Sequence, residues 1–344
     1  MTVSDSDIKY MRRALELAAL GMGSTSPNPM VGAVIVAPDG RIIGEGWHRR
    51  YGSWHAEVNA VNSIAPEDRH LLRQSSIYVT LEPCSHYGKT PPCSRLIIET
   101  GMPRVVVGAA DPFREVAGRG VAMLRQAGIE VIEGVLADES RSLNAKFITA
   151  HEQQRPFVTL KWAQSADGFI DSDRPQGHAE KFSTRLTSLI CHRQRALHDA
   201  ILTGSGTILA DHPRLDCRLW PGRSPRPVVV DRRGRLTQAD VPPHTLLLHD
   251  CDSVPDLLAS LYAEGITSVL VEGGAQMLQS FIDSGLWDQA RVETVWRVLG
   301  AHGTVRSPRI DAKPSATVNF SHGKMEHYAN NLLLTDCPGD IILR

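Results

Sequence analysis

Two successive α/β domains are the architecture this sequence predicts, and three observations predict it. The chain has 344 residues, more than one domain of about 150 holds. Strand-like and helix-like segments alternate along it in two runs, the pattern of layered sheets with helices packed on their faces. Between the runs lies a polar stretch, His151-Glu152-Gln153-Gln154-Arg155-Pro156, which sets expected domains of 1–150 and 151–344.

The first run opens with a helix over residues 5–20, where Ile8, Met11, Leu15 and Ala18 recur at helical spacing and Asp5, Ser6 or Asp7 can cap its start. Gly21 and Gly23 end it. Residues 24–29, Ser-Thr-Ser-Pro-Asn-Pro, cannot be helical, because each proline restrains the residue before it. A β-branched run at 31–36, a Pro38-Asp39-Gly40 turn and a second strand at 41–46 make a hairpin. A helix begins at His55, with Val58, Val61 and Ile64 apolar. A strand at 76–81, a helix at 93–100, a strand at 104–108, a helix at 121–127 and a strand at 129–134 complete the run.

In the second run strands are expected at 157–162, 200–203, 227–231, 245–249 and 268–272, with a helix at 275–284. No internal repeat or low-complexity segment interrupts either half. The N-terminus is polar and partly acidic with no apolar stretch after it, and the longest apolar runs are too short to cross a bilayer. Six cysteines in so long a chain are no disulfide scaffold. A cytoplasmic protein is expected. The formal net charge of -1 argues against a broad nucleic-acid-binding face while leaving room for a small phosphorylated ligand.

Chemistry concentrates in two short segments. His55-Ala56-Glu57 lies at a helix start, and Pro83-Cys84 and Cys93 follow at the end of a strand and the start of a helix. One imidazole and two thiolates suit zinc, and three protein ligands leave the fourth tetrahedral position open, as catalytic zinc requires. Water bound there titrates near pH ~7. Glu57, two residues from a ligand, can take the water proton and pass it to a ring nitrogen and then to departing ammonia. His-x-Glu followed by Pro-Cys is the signature of zinc nucleobase deaminases. The competing reading is a closed structural site with His86 as fourth ligand. Cys191, Cys217, Cys251 and Cys337 show no ligand spacing and read as packing residues.

The segment Thr80-Leu81-Glu82-Pro83-Cys84-Ser85-His86-Tyr87-Gly88-Lys89-Thr90-Pro91-Pro92-Cys93 closely resembles the bifunctional deaminase/reductase family of riboflavin biosynthesis, which also places eight residues between its cysteines. Ser26-Pro27-Asn28-Pro29-Met30-Val31-Gly32, Gly44-Glu45-Gly46-Trp47-His48 and Val116-Ala117-Gly118-Arg119-Gly120 match it as well. The resemblance implies a cytidine-deaminase-like three-layer first domain. Its substrate would be 2,5-diamino-6-ribosylamino-4(3H)-pyrimidinone 5′-phosphate, contacted by Asn28, His48 and Lys89. A lysine in the long inter-cysteine loop suits a phosphate.

From its residues alone, the second half is an α/β domain without the G-x-G-x-x-G dinucleotide fingerprint. It has one glycine turn, Val271-Glu272-Gly273-Gly274-Ala275-Gln276, where backbone amides can meet an anion. Leu160-Lys161-Trp162-Ala163-Gln164-Ser165-Ala166-Asp167-Gly168 and residues 200–213 resemble the reductase half of the same family. That implies a dihydrofolate-reductase-like fold and NADPH, with reduction of the ribosyl group to ribityl. Carried over by motif, Ala163, Thr207, Asp211, Gly273 and Gly274 line the NADPH site. Lys161, Ser183, Arg195, Leu215, Arg218 and Glu272 meet the substrate, the two arginines as phosphate clamps. Many members carry Ser-x-Trp-Ile-Thr, whereas this chain reads Ala179-Glu180-Lys181-Phe182-Ser183-Thr184, with Ser183 in place of the last hydroxyl. The family commonly forms homo-oligomers through its reductase halves. The competing functions are a deaminase whose second half only binds or assembles, and a nucleic-acid-editing deaminase, which the neutral charge and the lack of a basic–aromatic strip disfavour.

Overall fold

The computed structural model describes residues 3–85, 91–113, 118–174 and 179–331. Two compact units emerge, the first ending at Glu152 and the second running Gln153–Thr335. Lys89, His86, Val116, Ala117 and Cys337 lie outside the described residues. Among the described residues no helix is long and apolar enough to cross a membrane.

The first unit contains α1 (Asp5–Ala19), β1 (Gly32–Val36), β2 (Ile42–Trp47), α2 (Ala56–Asn62), β3 (Ser76–Leu81), α3 (Cys93–Thr100), β4 (Arg104–Ala109), α4 (Arg119–Gln126), β5 (Glu130–Glu133), α5 (Ala137–Leu143) and α6 (Ala145–Gln153). Its sheet runs β2-β1-β3-β4-β5, antiparallel across the first three strands and parallel across the last three. Both faces are covered. Tyr10, Met11, Ala14 and Leu17 of α1 pack on Val34, Val36, Tyr78 and Val106. Ala56 and Ala60 of α2, Ile97 of α3 and Val121 and Leu124 of α4 pack on Ala33, Ile35, Val79 and Val107. Three layers result, as alternating apolar residues on doubly covered strands require.

The cap of α1 is Ser4, one residue before the expected candidates. Its hydroxyl accepts from the Asp7 N–H while Asp7 bonds back to the Ser4 N–H. The buried face of α1 also differs from the expected stripe, with Ala14 and Leu17 inside and Leu15 only partly buried. Asp7 does more than cap. Its carboxylate, 1% exposed, takes both Arg104 Nη atoms and the Tyr78 hydroxyl, tying α1 to β3 and β4. Burial alone would raise its pKa, but the Arg104, Ser4 and Tyr78 hydrogen bonds outweigh that and hold it at about 2. A folded pKa below the unfolded one gives stability that is present above about pH 4 and lost as pH falls toward 2. The shift from 3.8 to about 2 corresponds to about 2 kcal/mol. We expect Asp7→Asn to lower neutral-pH stability and to flatten the acid limb of a urea-denaturation series between pH 4 and 2. An unchanged acid limb would dismiss this account.

The polar stretch read as a boundary is in part the end of α6, which runs to Gln153. His151 is held there by edge contacts to Phe113 and Phe147, with ring centroids 5.2 and 4.4 Å away.

The second unit contains β6 (Phe157–Gln164), β7 (Phe169–Ser172), α7 (Arg185–Ala196), β8 (Ala200–Gly204), α8 (Ser205–Asp211), β9 (Arg226–Val230), β10 (Leu246–Leu248), α9 (Val254–Ala263), β11 (Ser268–Val271), α10 (Ala275–Ser284), β12 (Gln289–Val295), β13 (Gly303–Arg306), β14 (Ala316–Phe320) and β15 (Gly323–Ala329). An eight-stranded sheet runs β10-β9-β8-β11-β6-β12-β15-β14, parallel through β12 and then antiparallel. β7 and β13 form a separate pair. One sheet face buries Val158, Leu160, Trp162, Leu202, Val269, Val271 and Val292 against Leu258 and Leu261 of α9 and Leu278 and Phe281 of α10. The other carries Lys161, Ala163 and Glu293, and Ser183, just before α7, donates to Glu293.

Candidate active sites

In the first unit, α2 lies close on β2. A Cβ at Gly46 would stand 2.4 Å from the Ala56 carbonyl oxygen, so only glycine permits this approach. That contact fixes His55 at the N-cap of α2, where it makes no capping bond with its side chain. Glu57, in the first turn, is 3% exposed. Cys84 follows β3 and Cys93 begins α3.

The His55 imidazole and the Cys84 and Cys93 sulfurs lie within 4.8 Å of one another. His55 Nδ1 is 3.6 Å from Cys84 Sγ and 3.3 Å from Cys93 Sγ. Tetrahedral zinc with ordinary Zn–N and Zn–S bonds sets nitrogen and sulfur about 3.6 Å apart, so the donor set fits the ion. The bond to Cys93 and those to His55 and the Cys93 N–H, 3.3 Å from Cys84 Sγ, outweigh burial and lower the Cys84 pKa to about 4. Its bond to Cys84 raises His55 to about 9 against burial. Burial, then the Cys84 charge, pushes Glu57 upward.

Asn28 and His48 adjoin this site. His48 Nδ1 is 3.1 Å from the Trp54 carbonyl oxygen, which can only accept, so this nitrogen carries the proton. Nε2 is then the acceptor for the Asn28 amide at 3.2 Å. Burial lowers the His48 pKa and favours this neutral form. The His48 and His55 rings meet edge to face, 5.6 Å between centroids.

Sequence reasoning gave no role to Glu82. Its buried carboxylate accepts from the backbone N–H groups of Gly118, Gly120 and Val121 at 3.0, 3.0 and 3.2 Å. A Cβ at Gly120 would lie 2.0 Å from the Pro83 carbonyl oxygen, which accounts for glycine there. The start of α4 is thus fastened to the residue before Pro83-Cys84. Ser94 Oγ completes the frame by donating to the Cys84 carbonyl at 3.0 Å.

In the second unit Lys161, Arg195 and Glu272 come together. Arg195 closes on Glu272 through Nε and Nη2 at 2.9 and 2.8 Å, and its Nη1 donates to the Asp216 carbonyl at 3.0 Å. Three of its five N–H donors are thereby engaged, and it holds Glu272 in place. Cys191 is no mere packing residue, because its thiol donates to Glu272 Oε1 at 3.4 Å. Burial opposes ionisation of Glu272, but Arg195 and Lys161 outweigh it and hold its pKa at about 2. Burial likewise opposes the Lys161 charge, and Cys191, Glu272 and Glu293 outweigh it and raise the pKa. Ser183 bonds Glu293, not Glu272, at 2.5 Å.

Thr207 and Gly274 are neighbours: a Cβ at Gly274 would lie 3.8 Å from Thr207 Oγ1. Gly274 is the N-cap of α10 without a side-chain capping bond, beside Gly273 at the carboxyl end of β11. Uncapped helix N–H groups suit the phosphates of a dinucleotide, so these residues fit NADPH. Asp211 is paired with Arg174 at 2.7 Å. Leu215 points its side chain into a small apolar cluster with Ile208 and Val229. Arg218 is half exposed and paired with Asp216.

A three-layer domain with a His-Cys-Cys cluster beside a buried glutamate, followed by a mainly parallel α/β domain, defines a two-domain deaminase–reductase. Residues 4–109 match the cytidine and deoxycytidylate deaminase zinc-binding region, and residues 156–334 match the RibD C-terminal domain. The chain is 38% identical over 311 residues to riboflavin biosynthesis protein RibD of Bacillus amyloliquefaciens, covering 81% of this chain and 82% of that protein. It is 34% identical over 374 residues to RibD of Escherichia coli (strain K12), covering 95% and 98%. A Thermotoga maritima structure described as a diaminohydroxyphosphoribosylaminopyrimidine deaminase/5-amino-6-(5-phosphoribosylamino)uracil reductase superposes with a TM-score of 0.81. It is 38% identical and covers 94% of this chain and 98% of that one. Acinetobacter baumannii RibD gives a TM-score of 0.83 at 31% identity, covering 94% and 98%. The chain belongs to the RibD family of riboflavin biosynthesis proteins: it is a bifunctional deaminase and reductase that uses zinc and NADPH.

Proposed function

We propose that this chain deaminates 2,5-diamino-6-ribosylamino-4(3H)-pyrimidinone 5′-phosphate at its 2-amino group and then reduces the ribosyl side chain of the product to ribityl. The observation that carries this reading is the convergence of His55, Cys84 and Cys93 on one point, with buried Glu57 beside them. Zinc held by these three residues would supply an acidified water as hydroxide. Glu57 takes the proton of that water and delivers it to the ring nitrogen, then to the amine as it leaves. Water and the amino group thereby exchange for a carbonyl and ammonia. Asn28 and His48 present an amide and an imidazole edge to the base and ribose, and Lys89 is assigned to the phosphate.

For the second step Ala163, Thr207, Asp211, Gly273 and Gly274 would hold NADPH, which would supply the hydride. Lys161, Ser183 and Glu272 meet the sugar, with Leu215 shaping one wall. Arg218, whose side chain is 48% exposed, is the guanidinium a phosphate can reach. Arg195 holds Glu272 in place. The near-neutral charge supports a nucleotide substrate rather than nucleic acid, a cytoplasmic setting is assigned, and assembly into a homo-oligomer is assigned to the second half.

The test is to supply the diaminopyrimidine nucleotide with and without NADPH and to follow ammonia and NADPH oxidation separately. Stripping zinc with a chelator is expected to abolish ammonia release while leaving NADPH oxidation on the deaminated nucleotide. Undiminished ammonia release from zinc-free protein would refute the metal reading. Arg218→Ala is expected to raise the reductase KM roughly tenfold, the effect of losing one charged hydrogen bond, with deamination unaltered. Equal loss of both activities would contradict the assignment of Arg218 to one step.

A further inference from the structure

Helix α7 does more than carry Arg195 to Glu272. The connection between α8 and β9, residues 212–225, holds no helix or strand, yet Leu215 and Arg218 lie on it. It turns at Leu215, where φ is +53°, a backbone conformation that leucine rarely adopts and that surrounding contacts must hold. Three of those contacts come from α7. Arg195 Nη1 donates to the Asp216 carbonyl at 3.0 Å, the Cys217 thiol donates to the His192 carbonyl at 3.1 Å, and the Arg218 N–H donates to His192 Nδ1 at 3.2 Å. Within the connection, Ser224 Oγ accepts from the Cys217 N–H at 3.0 Å, and the Asp216 carboxylate pairs with the Arg218 guanidinium.

Among these contacts, the side chain of His192 is the part of α7 that meets Arg218 itself. A backbone N–H can only donate, so Nδ1 carries no proton and the ring is neutral, with its hydrogen on Nε2. The residue is 4% exposed. Burial, then the charges of Arg195 and Arg218, lower its pKa against the opposing pull of Glu272 and Asp216, which keeps the acceptor free. Fixing the Arg218 N–H fixes the direction of its Cα–Cβ bond, and Asp216 aims the rest of the side chain.

We propose that His192 is a positioning residue of the reductase: by accepting from the Arg218 N–H, it holds the Arg218 guanidinium where the phosphate of the nucleotide arrives. Helix α7 then sets both ends of the bound nucleotide, Glu272 at the sugar through Arg195 and Arg218 at the phosphate through His192. An arginine on a loose segment gives up conformational freedom when it grips an anion, and a segment already fastened has less to lose. His192 therefore acts on nucleotide binding and not on the hydride step. This inference rests on the assignment of Arg218 to the phosphate.

The test follows NADPH oxidation by the zinc-loaded full chain on the deaminated nucleotide. His192→Leu removes the acceptor and is expected to raise KM about fivefold, the effect of one neutral hydrogen bond, with kcat changing less than about twofold. His192→Asn puts an amide oxygen where Nδ1 stood, and is expected to return KM to within about twofold of the unaltered chain. The double substitution His192→Leu with Arg218→Ala is expected to match Arg218→Ala alone in KM, because no guanidinium remains to be positioned. Ammonia release from the first substrate serves as the control for intact protein. An unchanged KM in His192→Leu overturns the proposal, as does a loss in kcat in place of KM. So does a KM that asparagine does not restore, or full additivity in the double variant. Should His192→Leu fail to fold, as judged by its melting curve, His192→Phe takes its place, keeping a ring without an acceptor. Failure of both to fold would make His192 a general member of the core, and the proposal falls. An unchanged KM in Arg218→Ala would instead refute the assignment of Arg218 to the phosphate.

Discussion

Replacing Glu57 with glutamine is expected to reduce ammonia release by about 10²- to 10⁴-fold while zinc content stays at that of the unaltered protein. The substitution is nearly isosteric, and the residue is buried in the first turn of α2, so the helix and its contact at Gly46 remain. Glu57 is not among the three donors that converge, so the metal keeps its ligands. What disappears is a group that can both accept and return a proton. Hydrolytic deamination needs both, since the water must lose a proton and the amine must gain one before it departs. NADPH oxidation on the deaminated nucleotide is expected to be unaltered, because its groups lie in the second unit. Metal analysis and an ammonia assay on the same sample check the claim. Turnover near normal with zinc present would remove Glu57 from the chemistry.

The zinc cluster was legible because its chemistry is written locally. His55 and Glu57 are two positions apart on one helix start, and Pro83, Cys84 and Cys93 flank one loop, so residue types and spacing nearly suffice. Glu82 was not legible. Its partners Gly118, Gly120 and Val121 lie 36 to 39 residues onward, and no periodicity announces a carboxylate that caps a distant helix. The same limit hid Glu293, which meets Ser183 across 110 residues through a sheet register that the segments alone do not specify. Helix α7 escaped for another reason. Thr187, Cys191, Gln194 and Arg195 stand where an amphipathic helix ordinarily shows an apolar stripe, so the helical spacing of apolar residues is faint. The polar inward face that weakened the signal is the face that meets Glu272 and Glu293. Antiparallel β14 and β15 likewise carry mostly exposed or half-buried residues, which leaves little hydrophobic pattern to read.

Arg195→Ala is expected to destabilise the second unit by about 3 kcal/mol, because it leaves the buried Glu272 carboxylate without its two-pronged partner and only partly compensated. The pair is well enclosed, with side-chain exposures of 13% and 11%, so solvent screens it little. Two short bonds and the hold on the Asp216 carbonyl are lost together. For a unit of this size the loss corresponds to a melting temperature lower by roughly 6–12 °C. Lys161 is left as the cation facing Glu272, and as a point charge it cannot reproduce the two-pronged contact. Arg195→Lys is therefore expected to recover only part of the loss. The informative companion is the double substitution Arg195→Ala with Glu272→Ala. If the penalty comes from the orphaned charge, removing that charge makes the double variant more stable than the single one. If instead Arg195 contributes through packing of its stem, the double variant melts lower still, and the electrostatic account fails. Ammonia release is expected to persist in all three proteins at temperatures below the transition, since Asn28, His48, His55, Glu57, Cys84 and Cys93 belong to the first unit. Arg195 thus reports on whether the charged layer beneath α7 is a structural member as well as part of a binding site.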